Sequence, residues 1–136
     1  MDISFKDTLM EALGIEVKEA APERVVCTMP VGPKTRQPFG LLHGGASVAL
    51  AETAASLGAW LNIDRGREAA AGMEINANHL RPVAGGIVTA TAVPLHRGRT
   101  SMVWDIKITD DAGRLVCVSR CTVAVIPAVR RPTEEP

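Results

Sequence analysis

Residues 40–61 read "GLLHGGASVALAETAASLGAWL", and between Leu41 and Leu61 the single Asp, Glu, Lys or Arg is Glu52. From about residue 45 to 61 the run is rich in Ala and Leu and free of proline, which predicts the principal helix of the chain. Apolar residues fall on all its faces, the pattern of a buried helix and not of a surface one. Gly44 and Gly45 permit a close backbone approach at its start. A carboxylate enclosed in such surroundings is costly unless something compensates it. One turn to either side of Glu52 stand Val48, Ala49, Ala55 and Ser56, none of them basic. A solvent-facing or arginine-paired Glu is the ordinary reading of a lone helix carboxylate. Here the neighbours favour a functional one, with Ser56 on the same face and able to hydrogen-bond it or a water beside it.

Outward from that helix the chain changes period. Phe5, Leu9 and Leu13 recur every four positions and predict a short amphipathic helix over 5–13, stopped by Gly14. "IEVKEAAPERVVCTMPV" reads as two extended pieces around a turn near Ala21-Pro22-Glu23, and "GPKTRQPFG" (32–40) as a connector. "NIDRGRE" is a polar loop. Four strands follow near 70–82, 87–95, 101–109 and 115–126, broken at "VAGG", "HRGR" and "DDAGR". In the third, Met102, Trp104, Ile106 and Ile108 face one way and Val103, Asp105, Lys107 and Thr109 the other. The short breaks predict an antiparallel meander. One buried helix with about six strands cannot form a doubly wound fold, which needs a helix at each parallel crossover. The economical solution is α+β: a curved antiparallel sheet wrapped around the central helix. The domain is single, 1–126, and "PAVRRPTEEP" (127–136), with three prolines and four charges, reads as a flexible tail.

Composition narrows the partners. Fifteen basic residues balance fifteen acidic ones, so no overall field favours nucleic acid or an anionic membrane. With two Trp, two Phe and no Tyr, the platforms of single-strand binders are also missing. Cys27, Cys117 and Cys121 fit no CxxC or zinc-finger spacing, and Cys117 and Cys121, in an apolar stretch, read as small buried thiols. His43, Glu52 and Cys27 have no metal-ligand spacing either. The start, "MDISFKDTLMEALG", lacks the apolar core of a secretory signal, and no apolar run reaches the roughly 18 residues of a membrane span. A cytoplasmic, reduced protein with no membrane or nucleic-acid partner is the expectation.

The helix start supplies the chemistry that complements a carboxylate. Its free N–H groups and the positive end of its dipole suit an oxyanion, and glycine lets a substrate oxygen come close. A tight turn into the helix explains "HGG" equally well when it is taken alone. Gly44 and Glu52 are eight residues apart, about 12 Å along a helix axis, too far for one carbonyl to meet both. Two antiparallel helices would bring each Glu52 near the partner's Gly44, so the spacing predicts a site shared across a two-fold dimer.

"TRQPFGLLHGGASVALAETAAS", "GMEINANHLRPV" and "PLHRGRTSMVWDIKITDDAGRLVCVSRCT" resemble the hotdog-fold acyl-CoA thioesterases of the phenylacetate-degradation type. The similarity runs over roughly residues 8–126 and is greatest to 1,4-dihydroxy-2-naphthoyl-CoA hydrolases and the enterobactin proofreading thioesterase. It implies an edge-to-edge homodimer, often paired again into a homotetramer, with Glu and the Gly/Gln pair drawn from opposite subunits. Glu52 takes the place of the catalytic carboxylate, as nucleophile or as general base on water. Gly44 takes that of the backbone N–H that polarises the thioester carbonyl, Gln37 and His43 support it, and Ser56 takes that of a hydroxyl orienting water or carboxylate. His79 matches a histidine near the acyl or pantetheine channel, though a structural strand histidine fits as well. Arg97, Arg99 and Thr100, with Arg81, match positions near the CoA nucleotide, and a solvated turn is an equal reading of them. No cofactor or metal is implied, CoA being part of the substrate.

The function so implied is hydrolysis of an aryl- or naphthoyl-CoA thioester, with 1,4-dihydroxy-2-naphthoyl-CoA in menaquinone synthesis as the pathway reading. Alternatives are a broad-specificity or proofreading thioesterase acting on acyl-CoA or acyl-carrier protein, a β-hydroxyacyl dehydratase of the same fold, and a non-catalytic acyl-CoA-binding protein. A purely structural dimer would leave Glu52 unexplained.

Overall fold

The computed structural model describes residues 3–128. In chain order the elements are α1 (Leu9–Leu13), β1 (Glu16–Ala21), β2 (Arg24–Pro30), α2 (Gly44–Trp60), β3 (Glu68–His79), β4 (Ile87–Arg97), β5 (Ser101–Thr109) and β6 (Leu115–Pro127). The strands form one antiparallel sheet in the order β1-β2-β4-β5-β6-β3, and α2 packs against all six. This is the curved sheet around a central helix that the sequence predicts. None of the described helices is long and apolar enough to cross a membrane. Residues 129–136, most of the expected tail, lie outside the described residues, and β6 runs one residue into it, to Pro127.

The meander holds only in part. β4, β5 and β6 follow one another through short turns, but β3 is not beside β4; it lies at the far edge against β6, from Glu68 opposite Pro127 to His79 opposite Cys117. The "VAGG" break is no hairpin. Val83 is buried and its carbonyl accepts from Leu42 N, while the Gly86 carbonyl accepts from Val31 N, so this segment ties into two other loops instead of folding back. Gly86 is held at φ 81°, a conformation that favours glycine, and the Asp111 carboxylate packs where a Cβ would lie.

The alternation of β5 is borne out. Met102, Trp104, Ile106 and Ile108 are buried against α2, whose own buried residues are mostly small: Ala46, Ser47, Ala51, Ala54, Ala55, Gly58 and Ala59, with Leu50 and Leu57. Small side chains let the helix sink into the sheet, and burial of each large partner contributes roughly 1.5–3 kcal/mol. The closest approach is at Gly58, where an added Cβ would stand 2.4 Å from the Trp104 ring.

Two expectations about the helices need correction. α2 is not enclosed on every side: Ala49, Glu52, Thr53, Ser56 and Trp60 form a half-buried stripe that the sheet does not cover. Its all-round apolar composition reflects a second face that is open in the single chain. The N-terminal helix is confined to Leu9–Leu13, because Asp7 adopts φ 60° in a turn in which Thr8 N–H donates to the Phe5 carbonyl. Phe5 therefore precedes the helix. Gly14, at φ 73°, ends it as expected, with its N–H and that of Ile15 on the carbonyls of Glu11 and Met10.

Candidate active site

His43 is the N-cap of α2: its backbone is extended and its Nδ1 accepts the Gly45 N–H at 2.8 Å. That bond fixes the imidazole as a cap and leaves its other nitrogen to the exposed side. The Ala46 and Ser47 N–H groups reach the His43 carbonyl, whereas the Gly44 N–H has no acceptor among the described residues. This free donor at the positive end of a seventeen-residue helix is a suitable oxyanion partner. The approach there is close: an added Cβ would stand 2.9 Å from His79 Nε2, so that exposed ring would have to swing aside.

A cavity of about 360 Å³ opens at this point, lined among others by Gln37, Gly44, Ser47, His79 and Arg81. The connector that carries Gln37 is firmly held. Gln37 N–H donates to the Leu41 carbonyl, Gly40 N–H to the Gln37 carbonyl, and the Gln37 amide oxygen accepts from Phe39 N–H. Gly40 makes the turn at φ 83°. The His79 ring lies at the helix start beside Gly44.

Glu52 opens elsewhere. It lines a mainly apolar cavity of about 350 Å³, with Ser56, Thr53 and Trp60 from α2 and Ile3, Phe5, Leu9 and Met10 from the N-terminal segment. The carboxylate lies against the edge strand, its Oε1 3.4 Å from where a Cβ on Gly72 would be. The register shifts between Gly72 and Glu74, a bulge of the kind that edges and sites often carry. Glu52 is half-buried and not enclosed, which corrects the expectation of a fully buried carboxylate. No hydrogen bond joins it to Ser56 among the described residues, although both line the one cavity. Behind it, Cys121 is fully buried on β6. Burial, and then the charges of Glu52 and Glu74, push its thiol up to about 12, so it stays a protonated core thiol and not a nucleophile. Burial similarly pushes Cys27 up to about 11.

The predicted residues therefore sort into three groups. Gln37, Gly44, His79 and Arg81 gather at the start of α2, with His43 capping it; Glu52 and Ser56 stand in its middle. Arg97, Arg99 and Thr100 lie exposed around the β4–β5 turn, where Arg97 donates to Asn62 Oδ1 at 3.3 Å just past the helix end, and the Thr100 carbonyl accepts from Val125 N–H. Arg81 instead lines the cavity at the start of α2, the opposite end of the helix from Asn62. Sequence reasoning missed Trp60, Thr53 and Met10. For Trp60 a signal was available, since it follows Ser56 by one helical turn and so shares its face. Among the described residues no group of three or more His, Cys, Asp or Glu side chains is placed to hold a metal ion.

The match to known proteins centres on these elements. The family model of the thioesterase superfamily fits residues 39–117, from the turn before α2 through β5 into β6. The chain belongs to the thioesterase superfamily. As a thioesterase it has close relatives: ComA2 of Bacillus subtilis, which bears an esterase name, is 59% identical over 124 residues, covering 91% of this chain and 98% of that one. A 1,4-dihydroxy-2-naphthoyl-CoA hydrolase of Listeria monocytogenes is 50% identical over 117 residues, covering 86% and 94%. A thioesterase of Staphylococcus aureus, solved as a Gln-to-Ala mutant, superposes with a TM-score of 0.86 at 47% identity, over 88% of this thioesterase and 98% of that chain. The same Staphylococcus protein was also solved with a glutamate changed to alanine. Its two altered positions are fifteen residues apart, the separation of Gln37 and Glu52 here.

Proposed function

We propose that this thioesterase hydrolyses an aryl- or naphthoyl-type CoA thioester to the free acid and CoA, with Glu52 and Gly44 of opposite subunits at one site. The observation that carries this reading is the division of α2: a free N–H at its start and a carboxylate in its middle, in separate cavities. Each half lacks what the other holds. An antiparallel pairing of two chains along the exposed β3 edge, where Met73 is 66% exposed, would place the helices side by side and complete two equivalent sites.

In that site the thioester carbonyl oxygen accepts the Gly44 N–H, with the Gln37 side chain beside it. Glu52 attacks the carbonyl carbon, or removes a proton from the water that does. Negative charge builds on the oxygen facing Gly44, where the helix dipole stabilises it, and the C–S bond breaks with CoA leaving as thiolate. If the carboxylate attacks directly, water then cleaves the resulting anhydride. His43 holds the helix start in place, and Ser56 orients the carboxylate or the water. His79, beside Gly44, faces the incoming thioester, and Arg97, Arg99 and Thr100 offer an exposed basic turn for CoA phosphates. Support for a flat acyl group comes from the apolar Glu52 cavity and from the Listeria relative's name; with it goes a role in menaquinone synthesis.

The test is a panel of benzoyl-, naphthoyl- and fatty acyl-CoA esters assayed with wild type, Glu52→Gln and Glu52→Asp. Glu52→Gln is expected to lower kcat by about 10³-fold or more with little change in KM. Full turnover by Glu52→Gln would sink the mechanism. Equal, weak rates across the panel would leave a thioesterase without the naphthoyl assignment.

A further inference from the structure

The Glu52 cavity has two walls of different origin. One is α2, with Ala49, Thr53, Ser56 and Trp60; the other is the chain's N-terminal segment, with Ile3, Phe5, Leu9 and Met10. The family match begins at residue 39, so the second wall lies outside the part of the chain it covers. Its Phe5–Thr8 turn is closed by the Thr8 N–H on the Phe5 carbonyl, and its far end, capped at Gly14, leads directly into buried Ile15. Along it Phe5 and Met10 are half-buried against the cavity while Leu9 is 60% exposed at it.

The lining also states what the cavity would accept. Its side chains are apolar except for Glu52, Thr53 and Ser56, and none is cationic. Arg65, beside the lining residue Trp60, stacks 4.3 Å from the centroid of its ring and donates to its carbonyl, so that charge is already engaged. An uncharged, apolar group suits such a space, and an anionic one does not. About 350 Å³ is at the small end of ligand cavities, enough for one or two rings but not for a long chain.

We propose that the substrate's acyl group seats in this cavity beside Glu52, and that the Ile3–Met10 segment, through Phe5, Leu9 and Met10, sets the largest acyl group the enzyme accepts. The inference rests on the hydrolase reading above and adds the specificity wall to it. Truncating Phe5 lengthens the cavity; a bulkier residue at position 9 or 10 shortens it. The segment acts on acyl size and leaves the charge chemistry to Glu52 and Gly44.

The experiment compares kcat/KM for propionyl-, benzoyl-, 2-naphthoyl- and decanoyl-CoA in wild type, Phe5→Ala, Met10→Trp and Leu9→Trp. Phe5→Ala is expected to raise the decanoyl-to-benzoyl ratio about tenfold, and Met10→Trp to lower the naphthoyl-to-propionyl ratio about tenfold. Leu9→Trp, changed at an exposed position that the fold tolerates, should act in the same direction as Met10→Trp. Ratios within twofold of wild type in folded Leu9→Trp and Phe5→Ala proteins would overturn the proposal, as would an altered subunit assembly with acyl preference intact, because a second chain would then fill the cavity. Binding of the uncharged 2-naphthamide, followed by ligand-observed NMR, separates the two readings. Binding that depends on Phe5 in a chain that cleaves no thioester would break the hydrolase reading and keep the wall. Normal hydrolysis with unmoved preferences would do the reverse.

Discussion

The start of α2 and its middle belong to one helix yet face different surroundings. At the start, a backbone N–H without an acceptor among the described residues opens among polar side chains carried by a tied-down loop and the end of β3. In the middle, a carboxylate opens among Phe5, Met10 and Trp60. One helix thus displays two chemistries whose separation, about 12 Å, prevents them from acting on one bond within one chain. A donor for negative charge and a source of it are kept apart until two helices pair.

The largest effect is expected when chains are mixed. Glu52→Gln and Gln37→Ala homodimers should each be crippled, by about 10³-fold and about 10²-fold respectively. A purified heterodimer of the two should recover about half of wild-type turnover, since one of its two sites would carry neither change. No recovery would mean that each chain builds its own site.

Glycine substitutions act differently at the site and in the core. An added Cβ meets an aromatic ring at both Gly44 and Gly58, but His79 is exposed and can swing away, whereas Trp104 is fully buried and cannot. Gly58→Ala should cost about 1–3 kcal/mol of stability, read as a lowered denaturant midpoint, with kcat per folded molecule retained. Gly44→Ala should leave the midpoint nearly unmoved and lower kcat. A reversal of that pattern would place the chemistry elsewhere.

A smaller effect is expected at the cap. His43→Ala removes the acceptor of the Gly45 N–H and should cost about 0.5–2 kcal/mol, while His43→Asn, also able to cap, should restore most of it. Recovery of stability without recovery of activity would show that the ring does more than hold the helix start.

The smallest concerns pH. Cys27 and Cys121 have thiol values raised by burial to about 11 and about 12, above the ordinary 9.0. Deprotonation therefore favours the unfolded chain: their contribution is fully present below pH 9 and is lost as pH rises through 11 to 12. Melting temperature should be flat in this respect near pH 8 and fall above pH 9, less steeply in Cys121→Ala. An identical decline in that variant would assign the loss to other groups.

Much of this was legible because local rules and tertiary packing agree. The inward row Met102, Trp104, Ile106 and Ile108 follows from period two, and Gly14 ends α1 because only a left-handed residue closes that turn. Where the reading failed, the missing information was long-range. "VAGG" has the composition of a hairpin turn, but its carbonyls serve Leu42 and Val31, and β3 pairs with β6 across the sheet. The α2 stripe has apolar composition whether a sheet, a second chain or a substrate covers it, so periodicity could not tell burial from an open cavity. Phe5 kept the helical spacing of Leu9 and Leu13, yet the left-handed Asp7 took it out of the helix and into the wall of the Glu52 cavity.

The helix, the number and most bounds of the strands, the lone carboxylate and the glycine start follow from composition and spacing along a few turns, so the order of amino acids already carries them. The strand order, the two separate cavities and the place of His79 against Gly44 emerge only on folding. Those depend on which distant segments meet, and contacts between residues far apart in the chain leave no period for a single sequence to display.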